Sequence, residues 1–317
     1  MKHAIFTTAL KSCAALVLAA CSLPVFANQP VLDAAALEAL RNSPDVRVID
    51  IRPPADYGQG HIPGALSAPY GSWRGPAHSP GQLPPLTRLA EQVQQLGLDQ
   101  NSHAVVVSSG ADITDFGAAA RVYWTLKYLG LENLSVLNGG MQAWQEAALP
   151  LEQTTASVAP SQYEPVLNTA ILATQSDVQA QIGNPDARLV DARPKNFFLG
   201  EVKAPTASTP GTIQGAVNIE HSLWFEPGTT RVVSQEKARE IAARQFPEMV
   251  DDTIAFCNTG HWAATDWFAL SELAGVPNVR MYPESLADWT NAATPLPMDN
   301  EPSRGSQISN KLKSLFN

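Results

Sequence analysis

The chain has 317 residues, of which 44% are hydrophobic and 16% charged, with 25 prolines and a formal charge of −9. That length exceeds what one core usually supports, so two globular domains are expected, and the composition excludes a coiled coil or a disordered chain. The acidic balance repels phosphate backbones and anionic lipid, so no nucleic-acid partner is expected, and a site for a small anion must create its own positive field.

In chain order, residues 1–27 read as an address. Lys2 and Lys11 precede the apolar run Ala14-Ala15-Leu16-Val17-Leu18-Ala19-Ala20, and Val25-Phe26-Ala27 offers the small residues that signal peptidase needs before Asn28. Cleavage there predicts a periplasmic protein, and losing two lysines and no acid takes the charge from −9 to −11. The competing reading takes Leu18-Ala19-Ala20-Cys21 as a lipoprotein box, which would anchor the protein to a membrane through Cys21. A folded segment beginning near Val31 leaves that anchor little tether and favours cleavage. Cys13 and Cys21 are then lost, and Cys257 remains without a disulfide partner. A lone thiol kept in an oxidising compartment points to chemistry, against the commoner fate of an inert core cysteine.

The mature chain repeats one design. Val46-Arg47-Val48-Ile49-Asp50-Ile51-Arg52-Pro53 leads to Gly60-His61-Ile62-Pro63-Gly64-Ala65, and Ala187-Arg188-Leu189-Val190-Asp191-Ala192-Arg193-Pro194 leads to Gly211-Thr212-Ile213-Gln214-Gly215-Ala216. Each first run predicts a buried strand whose polar end meets a loop; each second predicts a turn into a short strand. Further strands are expected at Ala104–Val107 and Thr253–Phe256, each followed by a polar loop and a helix, Ala118–Leu129 or Ala263–Ala274, stopped by Gly130 or Gly275. Strands at Ser135–Leu137 and Asn278–Met281 precede segments containing Trp144 and Trp289. The alternation predicts an α/β protein of two domains, each a mainly parallel sheet with helices on both faces and ligands at the carboxyl ends of the strands. The boundaries are expected at 28–152 for the first domain, 153–165 for a linker rich in Thr, Ser and Pro, 166–298 for the second domain and 299–317 for a polar tail.

The chemistry converges on Cys257-Asn258-Thr259-Gly260-His261-Trp262, between an apolar strand and the start of a helix. Backbone N–H groups at such a junction favour an anion on sulfur, and Gly260 lets the loop turn more of them inward, so Asn258 to Trp262 are expected to cradle a thiolate or persulfide. Cys257 has no second Cys or closely spaced His to complete a metal site, and no cofactor is implied. Asp191 and Arg193 are expected to form a strand-end ion pair, since the first half keeps Asp50 and Arg52 without a cysteine, while Lys195 is a nearby cation. His61 is expected to be structural, Thr212 standing in its place in the second copy. His261 has two open roles: stacking beside Trp262 as loop support, or supplying a cation or proton near the sulfur. Trp262, Trp267 and Trp289 are expected to pack, and His221 and Trp224 to line the interdomain cleft.

The duplicated Asp-x-Arg, the Gly-His-Ile-Pro-Gly-Ala segment and the strand, Cys loop and helix together resemble the tandem-domain rhodaneses, the thiosulfate and 3-mercaptopyruvate sulfurtransferases, from about Val31 to Pro297. The resemblance implies two rhodanese-like domains, with the catalytic cysteine in the second. The first is a silent copy, where Ser108 of Val107-Ser108-Ser109-Gly110 stands at the Cys257 position. It also implies that sulfane sulfur passes from a small sulfur-containing anion to a thiol or cyanide-like acceptor through a Cys257 persulfide. Thiosulfate users usually place Arg and Lys after the cysteine, where this loop has Asn258 and Thr259, and the Arg of their Gly-Arg-Tyr context aligns with Phe197. Mercaptopyruvate users have small residues there, which Asn258 and Thr259 match loosely. Thiosulfate is the donor expected first for an exported protein; the alternative is a relay or redox-sensing module without turnover. A cysteine phosphatase is set aside, because it needs an Arg where Ala263 stands.

Overall fold

The computed structural model describes residues 29–302 apart from Met249; the leader, Cys21 and residues 303–317 lie outside the described residues. The first domain runs β1 (Val31–Leu32), α1 (Ala34–Leu40), β2 (Val46–Asp50), α2 (Pro54–Gln59), β3 (Leu66–Ser67), α3 (Leu86–Gln95), β4 (His103–Val107), α4 (Phe116–Tyr128), β5 (Leu134–Leu137) and α5 (Gly140–Glu146). Its strands form one parallel sheet in the order β1-β5-β4-β2-β3. The central strand β4 is buried at all of its positions, which is why it reads His-Ala-Val-Val-Val rather than alternating: helices cover both faces of a parallel sheet.

The second domain repeats the plan with α6 (Gln175–Gln181), β6 (Ala187–Asp191), α7 (Lys195–Phe198), β7 (Thr212–Ile213), β8 (Val217–Asn218), α8 (Gln235–Gln245), β9 (Asp252–Phe256), α9 (Trp262–Trp267), β10 (Val279–Met281), α10 (Ser285–Trp289) and β11 (Met298–Asp299). Its main sheet is parallel, in the order β10-β9-β6-β8. The duplication holds to the residue: Asp50 pairs with Val107 and Asp191 with Phe256, so Ser108 and Cys257 stand at equivalent points one residue beyond their strands. Three details depart from the sequence expectations. The helix expected over 263–274 is α-helical only to Trp267 and then π-helical over Phe268–Leu273, widening where Phe268 meets Phe116 and Tyr123 of the first domain edge-on. Met298 and Asp299 pair antiparallel with Ile213 and Thr212, and the Asn300 amide donates to the Phe198 carbonyl at 2.9 Å. The chain through Asn300 is thus bound to the second domain, and its strand β11 covers the otherwise unpaired edge of β7. The segment expected as the interdomain linker lies along the first domain, a contact the sequence did not indicate, with Ser161 Oγ donating to the Leu98 carbonyl at 2.5 Å and Tyr163 Oη to the Leu129 carbonyl at 2.9 Å.

One apolar cluster crosses from domain to domain. Phe116 on α4 meets Phe225 and Phe268 with centroids 5.6 and 5.4 Å apart, and Tyr123 Oη and Lys127 Nζ both donate to Glu272 at 2.7 Å. This packing lays α4 against α9 and places the first domain over the loop that follows Cys257. Among the described residues no helix is long and apolar enough to cross a membrane.

Candidate active site

Cys257 is the one cysteine among the described residues and is 1% exposed. The start of α10 holds it from behind: Cys257 N–H donates to Ser285 Oγ at 3.1 Å, while the Cys257 and Asn258 carbonyls accept from Leu286 and Ala287 at 3.1 and 3.0 Å. Ser285 takes φ +55°, unusual for a residue with a Cβ, and its hydroxyl donates onward to the Tyr282 carbonyl at 2.7 Å.

Below the loop, Arg193 binds Asp191 in a bidentate fork, Nε to Oδ1 at 2.9 Å and Nη2 to Oδ2 at 2.6 Å, and Nη2 also donates to the Gly211 carbonyl at 2.7 Å. Its Nη1 reaches Asn258 Oδ1 at 3.4 Å, which ties the ion pair to the first residue after the cysteine. Asp50 and Arg52 repeat the fork in the first domain, with Nη2 to Oδ2 at 2.6 Å and to the Gly60 carbonyl at 2.8 Å. His61 is fully buried and stacks on Tyr57 at 3.7 Å, whereas Thr212 in its place donates to Asp191 Oδ2 at 2.7 Å.

The backbone N–H groups of Asn258, Thr259, Gly260 and His261 donate to no protein atom among the described residues. Their peptides are turned by the first domain: the Thr259 carbonyl accepts from Arg74 Nη2 at 2.7 Å and the Gly260 carbonyl from Arg121 Nη1 at 3.2 Å. Because N–H and C=O of a trans peptide point opposite ways, carbonyls drawn toward the first domain turn the following N–H groups away from it. The equivalent loop of the first domain is plugged by its own acid, the Gly110 N–H donating to Asp115 Oδ2 at 2.7 Å. The cysteine-bearing loop therefore keeps its donors clear of protein acceptors among the described residues, and the serine-bearing loop spends two on itself, the Ala111 N–H also donating to Ser109 Oγ at 3.2 Å.

Gly260 has φ +69°, and a Cβ there would overlap both Arg121 Nη1 and the Pro283 carbonyl. Gly260→Ala is accordingly expected to cost about 2 kcal/mol or more, from left-handed backbone plus displacement of Arg121, and to lower activity further than the stability loss explains. Urea denaturation beside initial rates on the folded fraction checks it.

His261 uses both ring nitrogens. Nε2 lies 2.8 Å from the Thr114 carbonyl, which can only accept, so Nε2 carries the proton and Tyr70 Oη, 2.9 Å away, donates to Nδ1. Burial, with Arg74 next in weight, pushes His261 down to about 4, so the ring is neutral at physiological pH and supports the loop rather than charging it. A Cβ on Gly117 would stand 2.9 Å from the His261 carbonyl, which is why α4 has glycine at this contact. His261 does not stack on Trp262; His221 does, with ring centroids 4.8 Å apart and planes 8° off parallel, and Phe197 meets Trp262 edge-on at 6.0 Å. Trp224 is fully buried, its indole donating to Asp266 Oδ1 at 3.0 Å. Trp267 and Trp289 are packed in the interior. Lys195 is exposed at the start of α7, its N–H donating to Glu220 Oε1 at 3.0 Å, and no hydrogen bond or ion pair ties its ammonium to the loop. No group of three or more His, Cys, Asp or Glu side chains that could hold a metal occurs among the described residues.

Sequence reasoning did not find Tyr70, Arg74, Arg121 or Ser285. Two signals were present. Arg121 is a charge inside the otherwise apolar stretch Ala118–Leu126, and Tyr70 occupies in the first copy the place that His221 holds in the second. The turns Tyr70–Trp73 and His221–Trp224 are both 3-10 helical, and they grip the neighbouring loop residues His261 and Trp262 from the two domains.

The sequence profile of the rhodanese-like domain matches residues 33–147 and 174–292. The chain is 30% identical over 245 residues to the thiosulfate sulfurtransferase of Rattus norvegicus, covering 76% of this chain and 80% of that one. It is 28% identical over 273 residues to the 3-mercaptopyruvate sulfurtransferase of Escherichia coli, covering 81% and 93%. The crystal structure of a 3-mercaptopyruvate sulfotransferase from Escherichia coli superposes with a TM-score of 0.70 at 25% identity, over 81% of this chain and 99% of that one. With two matched domains, one of them bearing the cysteine at the expected strand end, the chain belongs to the rhodanese family of tandem-domain sulfurtransferases.

Proposed function

We propose that the protein moves sulfane sulfur from a small anionic donor, thiosulfate first among them, to a thiol or cyanide-like acceptor through a persulfide on Cys257. The observation that carries this reading is the set of four N–H groups, unpaired among the described residues, on the loop directly after Cys257. In the first half-reaction the Cys257 thiolate attacks the outer sulfur of thiosulfate, the S–S bond of the donor breaks, and sulfite leaves with the electron pair. The outer sulfur of the resulting persulfide carries the negative charge toward the N–H groups of the loop. In the second, an acceptor nucleophile attacks that sulfur and the Cys257 thiolate is restored, a ping-pong sequence. The lysine-flanked apolar leader supports an exported location, where inorganic sulfur anions are accessible donors.

Mass spectrometry of the intact protein tests the reading after separate exposure to thiosulfate and to 3-mercaptopyruvate. The expected result is one added sulfur atom that a reductant removes, gained faster from thiosulfate. Faster loading by 3-mercaptopyruvate would reassign the donor. Loading by neither, in a protein that accepts sulfur from a persulfidated partner, would favour the relay reading, to which the near-complete burial of Cys257 lends support.

A further inference from the structure

We propose that Arg74 and Arg121 of the cysteine-less first domain form the cationic half of the Cys257 site, selecting donors that carry a sulfonate or carboxylate group beside the transferable sulfur. The choice of donor rests on the sulfur-transfer reading above; the positive field itself does not.

The loop carries no cation of its own, and the chain as a whole repels anions with a charge of −9. Two guanidinium groups are nevertheless brought to this loop from the other domain, one from the turn Tyr70–Trp73 and its following residue, the other from the middle of α4. Every hydrogen bond they donate at the loop goes to a carbonyl: Arg74 to Thr259, and Arg121 to Gly260 and, at 2.7 Å, to Gly81. Neither is in a salt bridge among the described residues, although both guanidiniums are sheltered and Arg121 is fully buried. Each also keeps one buried nitrogen without a partner, Nη1 of Arg74 and Nε of Arg121.

Two neighbouring cations without a bound carboxylate are costly to hold in the interior, and the cost shows in Arg121, which burial and then Arg74 push down to about 9. Glu284, the carboxyl that acts on Arg121, is itself raised by burial and is in no ion pair with either arginine among the described residues. Arg74 and Arg121 reach the carbonyls of Thr259 and Gly260, two and three residues beyond Cys257, so both charges stand beside the loop that carries the sulfur. An anion held by the loop would feel both charges through the peptides they polarise, whose N–H groups point away from the guanidiniums.

The experiment compares alkylation of the full-length protein by iodoacetate, an anion, with alkylation by neutral iodoacetamide. The ratio of the two rates cancels the common barrier of reaching a buried thiol and reports the local field. In the wild-type protein the ratio is expected to exceed that of N-acetylcysteine by about tenfold or more. It should fall about tenfold in Arg74→Gln, recover to within about threefold in Arg74→Lys, and stay unchanged in Glu272→Gln, which breaks an interdomain contact remote from the loop. A wild-type ratio equal to that of N-acetylcysteine overturns the proposal without any variant. So does an Arg74→Gln protein that reacts more slowly with both reagents in the wild-type ratio, because the arginine would then only brace the loop. A high wild-type ratio in a protein that takes no sulfur from thiosulfate or 3-mercaptopyruvate would sink the sulfur-transfer reading while supporting the cationic site.

Discussion

Cys257→Ser is expected to lose sulfur transfer by at least about four orders of magnitude and to take up no sulfur from any donor, because a serine hydroxyl is far less ionised and cannot hold sulfane sulfur. Stability should change by less than about 1.5 kcal/mol, the substitution being nearly volume-conserving in a fully packed position. The backbone bonds that hold residue 257, from its N–H to Ser285 and from Leu286 to its carbonyl, do not involve the sulfur and should survive. Persulfide detection by mass spectrometry, run beside urea denaturation, separates the two effects. A serine variant that still transfers sulfur would remove Cys257 from the mechanism, and one that unfolds would give it a structural role the packing does not suggest.

Asp191→Ala is expected to destabilise the protein by about 3–5 kcal/mol, since it strands the Arg193 charge in a place where only 2% of the side chain's surface reaches water. It removes the acceptor for both arms of the Arg193 fork, for the Arg193 backbone N–H and for Thr212 Oγ1 at once. Asp50→Ala makes the same deletion in the first domain and should cost nearly as much, slightly less because Arg52 is 8% exposed. Their effects on turnover should differ. Arg193 touches Asn258 beside the cysteine, so Asp191→Ala should lower activity per folded molecule, whereas Asp50→Ala should leave it within about twofold. Denaturation midpoints and initial rates on the folded fraction test the pair, and equal losses of specific activity would show that the fork serves the fold alone.

The two deletions differ in outcome because the copies have diverged around a shared scaffold. One loop ends in Ser108 and satisfies the Gly110 N–H with Asp115; the other ends in Cys257 and leaves its donors open. On the helices after the loops, the place of Arg121 in the first copy corresponds to Asp266 in the second. Burial, reinforced by Asp191, raises Asp266 well above the usual carboxylate range, and its Oδ1 accepts from the Trp224 indole. Arg121 keeps its charge and reaches across the interface to the Gly260 carbonyl. The cysteine-less domain thus sets its helix and its turn against the other domain's loop.

Much of this was legible in residue order. The repeated Asp-x-Arg and Gly-x-Ile-x-Gly-Ala runs mark strands and turns because buried parallel strands need continuous apolar side chains and turns need glycine, both local requirements. The cysteine, its loop and the serine in the silent copy follow from the same register. What the sequence could not show is which residues meet across the interface, since Tyr70, Arg74 and Arg121 lie between 136 and 187 positions from Cys257 and obey no local periodicity with it. The assignment of His261 and His221 shows the same limit: the sequence left His261 open between stacking on Trp262 and supplying a cation or proton near the sulfur, but the turn from the second domain fills the Trp262 face with His221, and the first domain draws a neutral His261 to Tyr70 and Thr114. The sequence by itself therefore determined the two-domain α/β plan and the place of Cys257 at a strand end, because period and turn chemistry are properties of neighbouring residues. Only the tertiary structure decided that Arg74, Arg121 and the neutral His261 meet at the Cys257 loop, because those contacts depend on two separately folded surfaces burying each other.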